Sequence, residues 1–228
     1  MKPLVFVGPS LSHCECSQLL DADFLPPARR GSLNSIAPGR VVAVIDGELP
    51  PESFLPDCEI LDALGRGVTL YGAASVGALR ASAFANRGMR GVGWVYDQYI
   101  AGKITGLDEI AVIYDPLSLR RLSVPLVDIR FWLDGLIAAS RTTPDEARNA
   151  LEELRRLPVF DRDVVAIKKG LHGLLRQNVV QKELETMTAF PDVKRNDARI
   201  LLGLLTSLST GGAPASLMIP ASVSNDSP

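Results

Sequence analysis

Tyr71-Gly72-Ala73-Ala74-Ser75-Val76-Gly77-Ala78-Leu79-Arg80 reads as the end of a β-strand, a tight turn and the start of a helix. The apolar run 68–71 has strand character, Gly72 stops it, and the small residues that follow predict a helix over 75–84. A small residue two before Ser75 and a glycine two after give the turn the sense of a nucleophile elbow, in which a strand bends sharply into a helix and presents a serine. The usual elbow has glycine in both places, whereas Ala73 stands at the first here. Ser75 at a helix N-terminus would have unpaired N–H groups of Gly72, Val76 or Gly77 beside it to hold an oxyanion or an anionic group. The competing local role is simply N-cap of the helix.

Working outward, the same strand-then-turn grammar recurs. Residues 4–7 end at Gly8-Pro9-Ser10, residues 41–45 end at Asp46-Gly47, and Ile60, Leu61 and Leu64 within 59–64 have helical spacing before Gly65 and Gly67. A further apolar run, 110–114, reads as one more strand. Alternating strands and helices predict an α/β fold: a small, mostly parallel sheet with flanking helices. In such sheets ligands gather beyond the carboxyl ends of the strands, which puts the three turns on one edge. From residue 124 the pattern becomes helical, with helices expected over 126–139, 162–175, 180–188 and 192–208, and Thr143-Pro144-Asp145-Glu146 supplying an N-cap, a proline at N1 and a capping-box glutamate. We therefore expect an α/β core over 1–123, a C-terminal helical layer or subdomain over 124–208, and a flexible tail over 209–228.

With 46% hydrophobic and 22% charged residues in a chain of 228, the composition is that of a globular protein able to bury a core. A formal net charge of −2, with no aromatic residues interleaved among basic clusters, argues against nucleic acid as a partner. Only the four apolar residues 4–7 follow Met1-Lys2-Pro3, so we expect no signal peptide, no membrane span and a cytoplasmic protein. Cys14, Cys16 and Cys58 are an odd set of three, read as reduced thiols.

A serine nucleophile needs a base. The two histidines, His13 and His172, lie in no turn that predicts a site. Lysine is the better source, since burial or a neighbouring cation lowers its pKa enough for it to take a serine's proton. Of six lysines, Lys194 stands in Asp192-Val193-Lys194-Arg195-Asn196-Asp197-Ala198 at an expected helix start beside Arg195; its plain alternative is a solvated charge at a helix end. His13-Cys14-Glu15-Cys16 lacks a second Cys/His pair, so no metal is expected. The glycines of 65–77 form no dinucleotide fingerprint and no phosphate-binding Gly-x-x-x-x-Gly-Lys occurs, so no cofactor is expected.

Taken together, several segments resemble the TfuA-like family, companions of YcaO enzymes in peptide backbone thioamidation. They are 5–11, 26–31, 44–47, 59–61, 71–80, 88–93 and 108–112, with 194–198 as a further lysine-containing motif. Gly-Pro-Ser-Leu at 8–11 followed by Gly-Ala-Ala-Ser-Val-Gly-Ala-Leu-Arg at 72–80 is the most specific pair. The resemblance implies a hydrolase with a Ser-Lys site that acts on the C-terminal thiocarboxylate of a ThiS-like, ubiquitin-fold sulfur carrier and releases sulfide for the YcaO partner. Ser75 is then the nucleophile, Lys194 its base and Ser10 the rival nucleophile or an oxyanion donor. The remaining motif residues have two roles each. Arg30 binds an anionic carrier terminus, Asp46 orients a cation and Arg80 follows along the Ser75 helix, or all three are members of structural ion pairs. Asp108-Glu109 is read as structural or partner-facing. Where relatives resemble His-Lys-Glu, this chain has Asp57-Cys58-Glu59, so Cys58 replaces a lysine and either fills a small pocket or stands near the sulfur path. The alternative function is a non-catalytic adaptor that strengthens the hold of YcaO on its peptide.

Overall fold

Short runs of Val, Ile, Leu and Phe that are apolar on both faces can be buried only between two layers of helices, and that is how they are used here. The computed structural model describes residues 1–210. Its strands are β1 (Leu4–Phe6), β2 (Asp23–Leu25), β3 (Val41–Val44), β4 (Thr69–Gly72) and β5 (Arg90–Gly91). They form one sheet in the order β2-β1-β3-β4-β5 with every pairing parallel. The chain leaves β1 toward β2 on one side, then crosses back to β3 on the other, so the crevice between β1 and β3 at their carboxyl ends is the switch point of the sheet.

Successive strand residues point to opposite faces. Val5, Ala43, Ile45 and Tyr71 pack on α1 (His13–Leu19) and α9 (Val193–Ser209) through Cys16, Leu20, Leu201, Leu202 and Leu205. Phe6, Val42, Val44 and Leu70 face α2 (Asp57–Gly65) and α3 (Val76–Ala83) through Ile60, Ala63 and Ala81. A third cluster joins α3 and α4 (Trp94–Ile100) to the first turn of α5 (Leu126–Ala138) and to Val193. Helices α5, α6 (Pro144–Arg155), α7 (Val164–Leu171) and α8 (Asn178–Thr186) form their own core around Ile129, Trp132, Leu154, Ile167 and Leu184.

The α/β class with a parallel sheet and C-terminal helices is therefore as read from sequence. Both halves of the expected capping box form: Thr143 accepts from Glu146 N, and the Glu146 side chain accepts from Thr143 N. Residues 110–114 differ from expectation. They join no strand of the sheet, and Tyr114 makes only an isolated antiparallel bridge to Arg121. The short strands β2 and β5 and helices α1 and α4 were not legible. Helix α4 shows why: Gly93 is its N-cap and makes no side-chain cap, and the capping acceptor is the distant carboxylate of Asp197, which takes Trp94 N at 2.9 Å and Val95 N at 2.8 Å. The expected tail lies outside the described residues from 211 onward, while Ser209 ends α9. No described helix is long and apolar enough to cross a membrane.

Candidate active site

The Ser75 turn is built by close approach of α3 to β3 and β4. A side chain on Gly72 would strike the Gly77 carbonyl, and one on Gly77 would strike the Val44 carbonyl, so only hydrogen fits at either position. Ala73 N donates to Val44 O at 3.2 Å and Gly77 N to Ile45 O at 3.2 Å, clamping the turn to the end of β3. The Gly77 amide is thereby committed to the fold and is no free oxyanion donor, and Gly72 serves close packing. Val76 N, by contrast, makes no hydrogen bond among the described residues. Ala74 has φ 65, a left-handed conformation that costs a non-glycine residue roughly 1–2 kcal/mol, and Ser75 follows with φ −120 and ψ −124. The strained residue of the turn is thus the one before the serine. Ser75 is the N-cap residue by position, yet its hydroxyl makes no cap hydrogen bond. It opens instead on a cavity of about 540 Å³.

Asp46, at the end of β3, organises the neighbouring turn. Its Oδ2 accepts Gly8 N at 2.8 Å and Ser10 N at 3.0 Å, and its Oδ1 accepts the Ser10 hydroxyl at 2.7 Å. Both side chains are buried. Asp46 lines the Ser75 cavity, whereas Ser10 lines an adjoining cleft with Arg120 and Arg195, on the other side of Pro9.

Lys194 is 0% exposed, and its ammonium donates to Ile110 O at 2.9 Å. Burial lowers its pKa to about 8, with Arg121 adding to the fall and Asp46 and Asp128 opposing it. No hydrogen bond joins the Lys194 amine, read from sequence as the base, to Ser75 among the described residues; the amine is on the carbonyl of Ile110, a residue that lines the cavity together with Ser75. The solvated-charge alternative is excluded by the burial.

The structure takes three motif residues away from the cavity. Arg30 is exposed and its Nε donates to Glu52 O at 2.9 Å. Arg80 binds Leu55 O and pairs with Asp57 at 2.7 Å, with its guanidinium 4.6 Å over the Phe54 ring, so it fastens the loop before α2. Cys58 is exposed on the first turn of α2 and fills no pocket. Asp108 and Glu109 are structural: Arg162 holds Asp108 at 2.8 Å, and Glu109 is held by Arg130 at 2.8 Å and by Arg155, tying the segment before Ile110 to the helical layer.

Two titratable residues of the cavity went unnoticed in the sequence, Glu48 and Tyr114. Burial raises the Tyr114 pKa, and the negative charges of Glu48 and Asp46 raise it further, so the phenol lies near both carboxylates. Glu48 could have been found by its place just beyond a strand end; Tyr114 was hidden within a run read as a strand. No lysine or arginine lines the cavity, and the wall is otherwise mostly proline and aliphatic. Among the described residues no group of three or more His, Cys, Asp or Glu side chains is arranged to hold a metal.

No curated protein matches the sequence. A family model described as TfuA-like protein matches residues 46–163, from Asp46 through the Ser75 turn and the 110–114 wall into the helical layer. That match spans just over half of the chain, and the chain belongs to the TfuA-like family.

Proposed function

We propose that this protein is a sulfur-delivery hydrolase of peptide backbone thioamidation, the process in which the family accompanies YcaO enzymes. Its substrate is the C-terminal thiocarboxylate of a ThiS-like carrier, and Ser75 is the nucleophile. The observation that carries the reading is a serine hydroxyl free of its capping role, on a strained turn, facing a largely apolar cavity at the carboxyl edge of the sheet. Ser75 Oγ adds to the thioacyl carbon as its proton passes to the Lys194 amine. The C–S bond breaks as the Lys194 ammonium passes that proton to the departing sulfur, so hydrosulfide leaves, the amine is neutral again and an acyl ester remains on Ser75. Water then cleaves the ester to give the carrier carboxylate and regenerate the serine. A neutral amine is accessible near neutral pH because burial lowers Lys194 to about 8. Apo geometry with the amine on Ile110 O requires it to turn toward Ser75 when substrate is bound, as catalytic hydrogen bonds commonly tighten only in the complex.

Sulfide released from a thiocarboxylated carrier protein is the measurement that tests this. Ser75→Ala and Lys194→Met are each expected to lower kcat by at least about 100-fold with circular dichroism unchanged. Undiminished release by Ser75→Ala ends the nucleophile assignment. The adaptor reading has its own support in exposed apolar side chains, Phe160 beside the cavity residue Val159 at 70% and Leu117 in the adjoining Ser10 cleft at 94% exposed, which suit a partner surface. Wild-type protein that binds YcaO and releases no sulfide selects it.

A further inference from the structure

The run Ile110-Ala111-Val112-Ile113-Tyr114 has the composition of a strand and no place in the sheet. All five residues line the Ser75 cavity in succession. Side chains alternate along an extended chain, so five consecutive residues on one wall means that the main chain itself faces the cavity. Its hydrogen bonding to the rest of the fold runs through one side at Ile113. Ile113 is satisfied on both sides: its N–H donates to Ser123 Oγ at 2.8 Å and its carbonyl accepts Leu122 N at 2.7 Å. Around the bridge to Arg121 the hairpin bonds run through Ile113 and Asp115, which turns the main-chain groups of Tyr114 outward. Among the described residues the N–H groups of Ala111, Val112 and Tyr114 have no acceptor and their carbonyls no donor, and of these Val112 and Tyr114 lie on the side away from the hairpin. Two residues before Val112, where a turn ends, the Ile110 carbonyl takes the Lys194 ammonium.

Main-chain groups left unpaired along a strand edge are met by water or by an added strand, and an added strand is the partner that satisfies alternate N–H and carbonyl groups together. The cavity offers no cationic side chain to clamp an anion, so recognition by charge is not what its wall provides. We propose that the cavity receives the C-terminal segment of a polypeptide in extended form, which pairs through its main chain with Val112 and Tyr114 and so carries its terminal carbonyl to Ser75. This rests on the hydrolase reading for the identity of the reacting end, and it adds how the tail that carries that end is held, by main-chain pairing along 112–114. Specificity then lies in backbone amides and in narrow side chains that pass the proline-lined wall, and small thioacids are poor substrates.

The probe is a synthetic hexapeptide of glycine and alanine, prepared as its C-terminal acid and as its C-terminal thiocarboxylate, added to the full chain. With the acid form, amide hydrogen exchange at Val112 and Tyr114 is expected to slow in wild type and equally in Ser75→Ala, while exchange in the helical layer is unchanged. N-methylating the peptide at a single amide of the alternate set that faces Val112 and Tyr114 is expected to weaken binding about tenfold, the size of one lost main-chain hydrogen bond, and at a single amide of the other set to leave it unaltered. Sulfide release from the thiocarboxylate peptide is expected to exceed that from thioacetate by a hundredfold or more in kcat/KM. Unslowed exchange at Val112 and Tyr114 with bound peptide, or N-methylation without alternation, overturns the pairing. The two ideas fail separately: sulfide release without alternation keeps the hydrolase and removes the strand pairing, and alternation without sulfide release does the reverse.

Discussion

At the residue scale the site turns on what each polar atom is already bonded to. Ser10 has its hydroxyl on Asp46 Oδ1, which holds the β1 and β3 ends together, and Gly77 has its amide on Ile45 O, which holds the Ser75 turn to β3, so two residues that the turn motifs offered for chemistry are already occupied. Ser75 is the one whose hydroxyl the fold leaves unused as a cap. Lys194 acquires its character from burial. A surface lysine at the helix start would stay charged, whereas full burial brings the amine to about 8. If the neutral amine takes the proton of Ser75, sulfide release under saturating carrier is expected to rise about tenfold between pH 7 and pH 9, following the neutral fraction of a group that titrates near 8. A pH profile that is flat across that range in wild type, or that keeps its rise in Lys194→Met, removes Lys194 as the base.

At the scale of elements, helices α4 and α9 begin on carboxylates from far along the chain. Asp197, inside α9, caps α4, and Asp128, inside α5, takes Val193 N at 3.0 Å at the start of α9. The Asp197 carboxylate is buried, and burial raises its pKa to about 7 despite the two amides it accepts. The folded state therefore holds a proton on Asp197 that the unfolded chain has lost above its ordinary value of 3.8. With the folded pKa raised, this residue's contribution is fully present below pH 3.8 and is lost as pH rises toward 7. Relative to Asp197→Asn, wild type is expected to lose about 3 kcal/mol of stability between pH 4 and pH 7. Urea unfolding of both proteins across that range checks it, and parallel pH curves would count against a protonated Asp197. The Thr143 box on α6 is the opposite case, a cap made within four residues and readable directly.

At the scale of the whole molecule, α9 decides how the halves are joined. Helix α1 covers only part of one sheet face, and α9 completes it through Leu201, Leu202 and Leu205 while its first turn meets α5 and the cavity wall. We propose the division into an α/β core over 1–123 and a helical layer over 124–208, with α9 as the element that both share. A protease site inserted in the exposed loop 116–120 tests this. After cleavage the two fragments are expected to co-elute on gel filtration without denaturant, because the sheet face under α9 would otherwise be bare. Fragments that separate under those conditions would mean that α9 contributes little to the core.

What could be read from sequence was local. Apolar runs followed by glycine turns gave the parallel α/β layout, the small residues of 72–78 gave a sharp strand-to-helix turn, and the motif pairs gave the family, because each depends on residues within about one turn of one another. The tertiary structure alone decided which polar groups meet. Lys194 finds Ile110 across 84 residues, Asp46 finds Ser10 across 36, and Asp197 finds Trp94 across 103. It also left 110–114 without a sheet partner although its sequence is that of a strand, since pairing depends on a neighbouring edge being available and not on the run's own propensity. The strand-like run at the Ser75 cavity is thus a feature whose residues were visible from the start and whose vacant edge appeared only when the chain was folded.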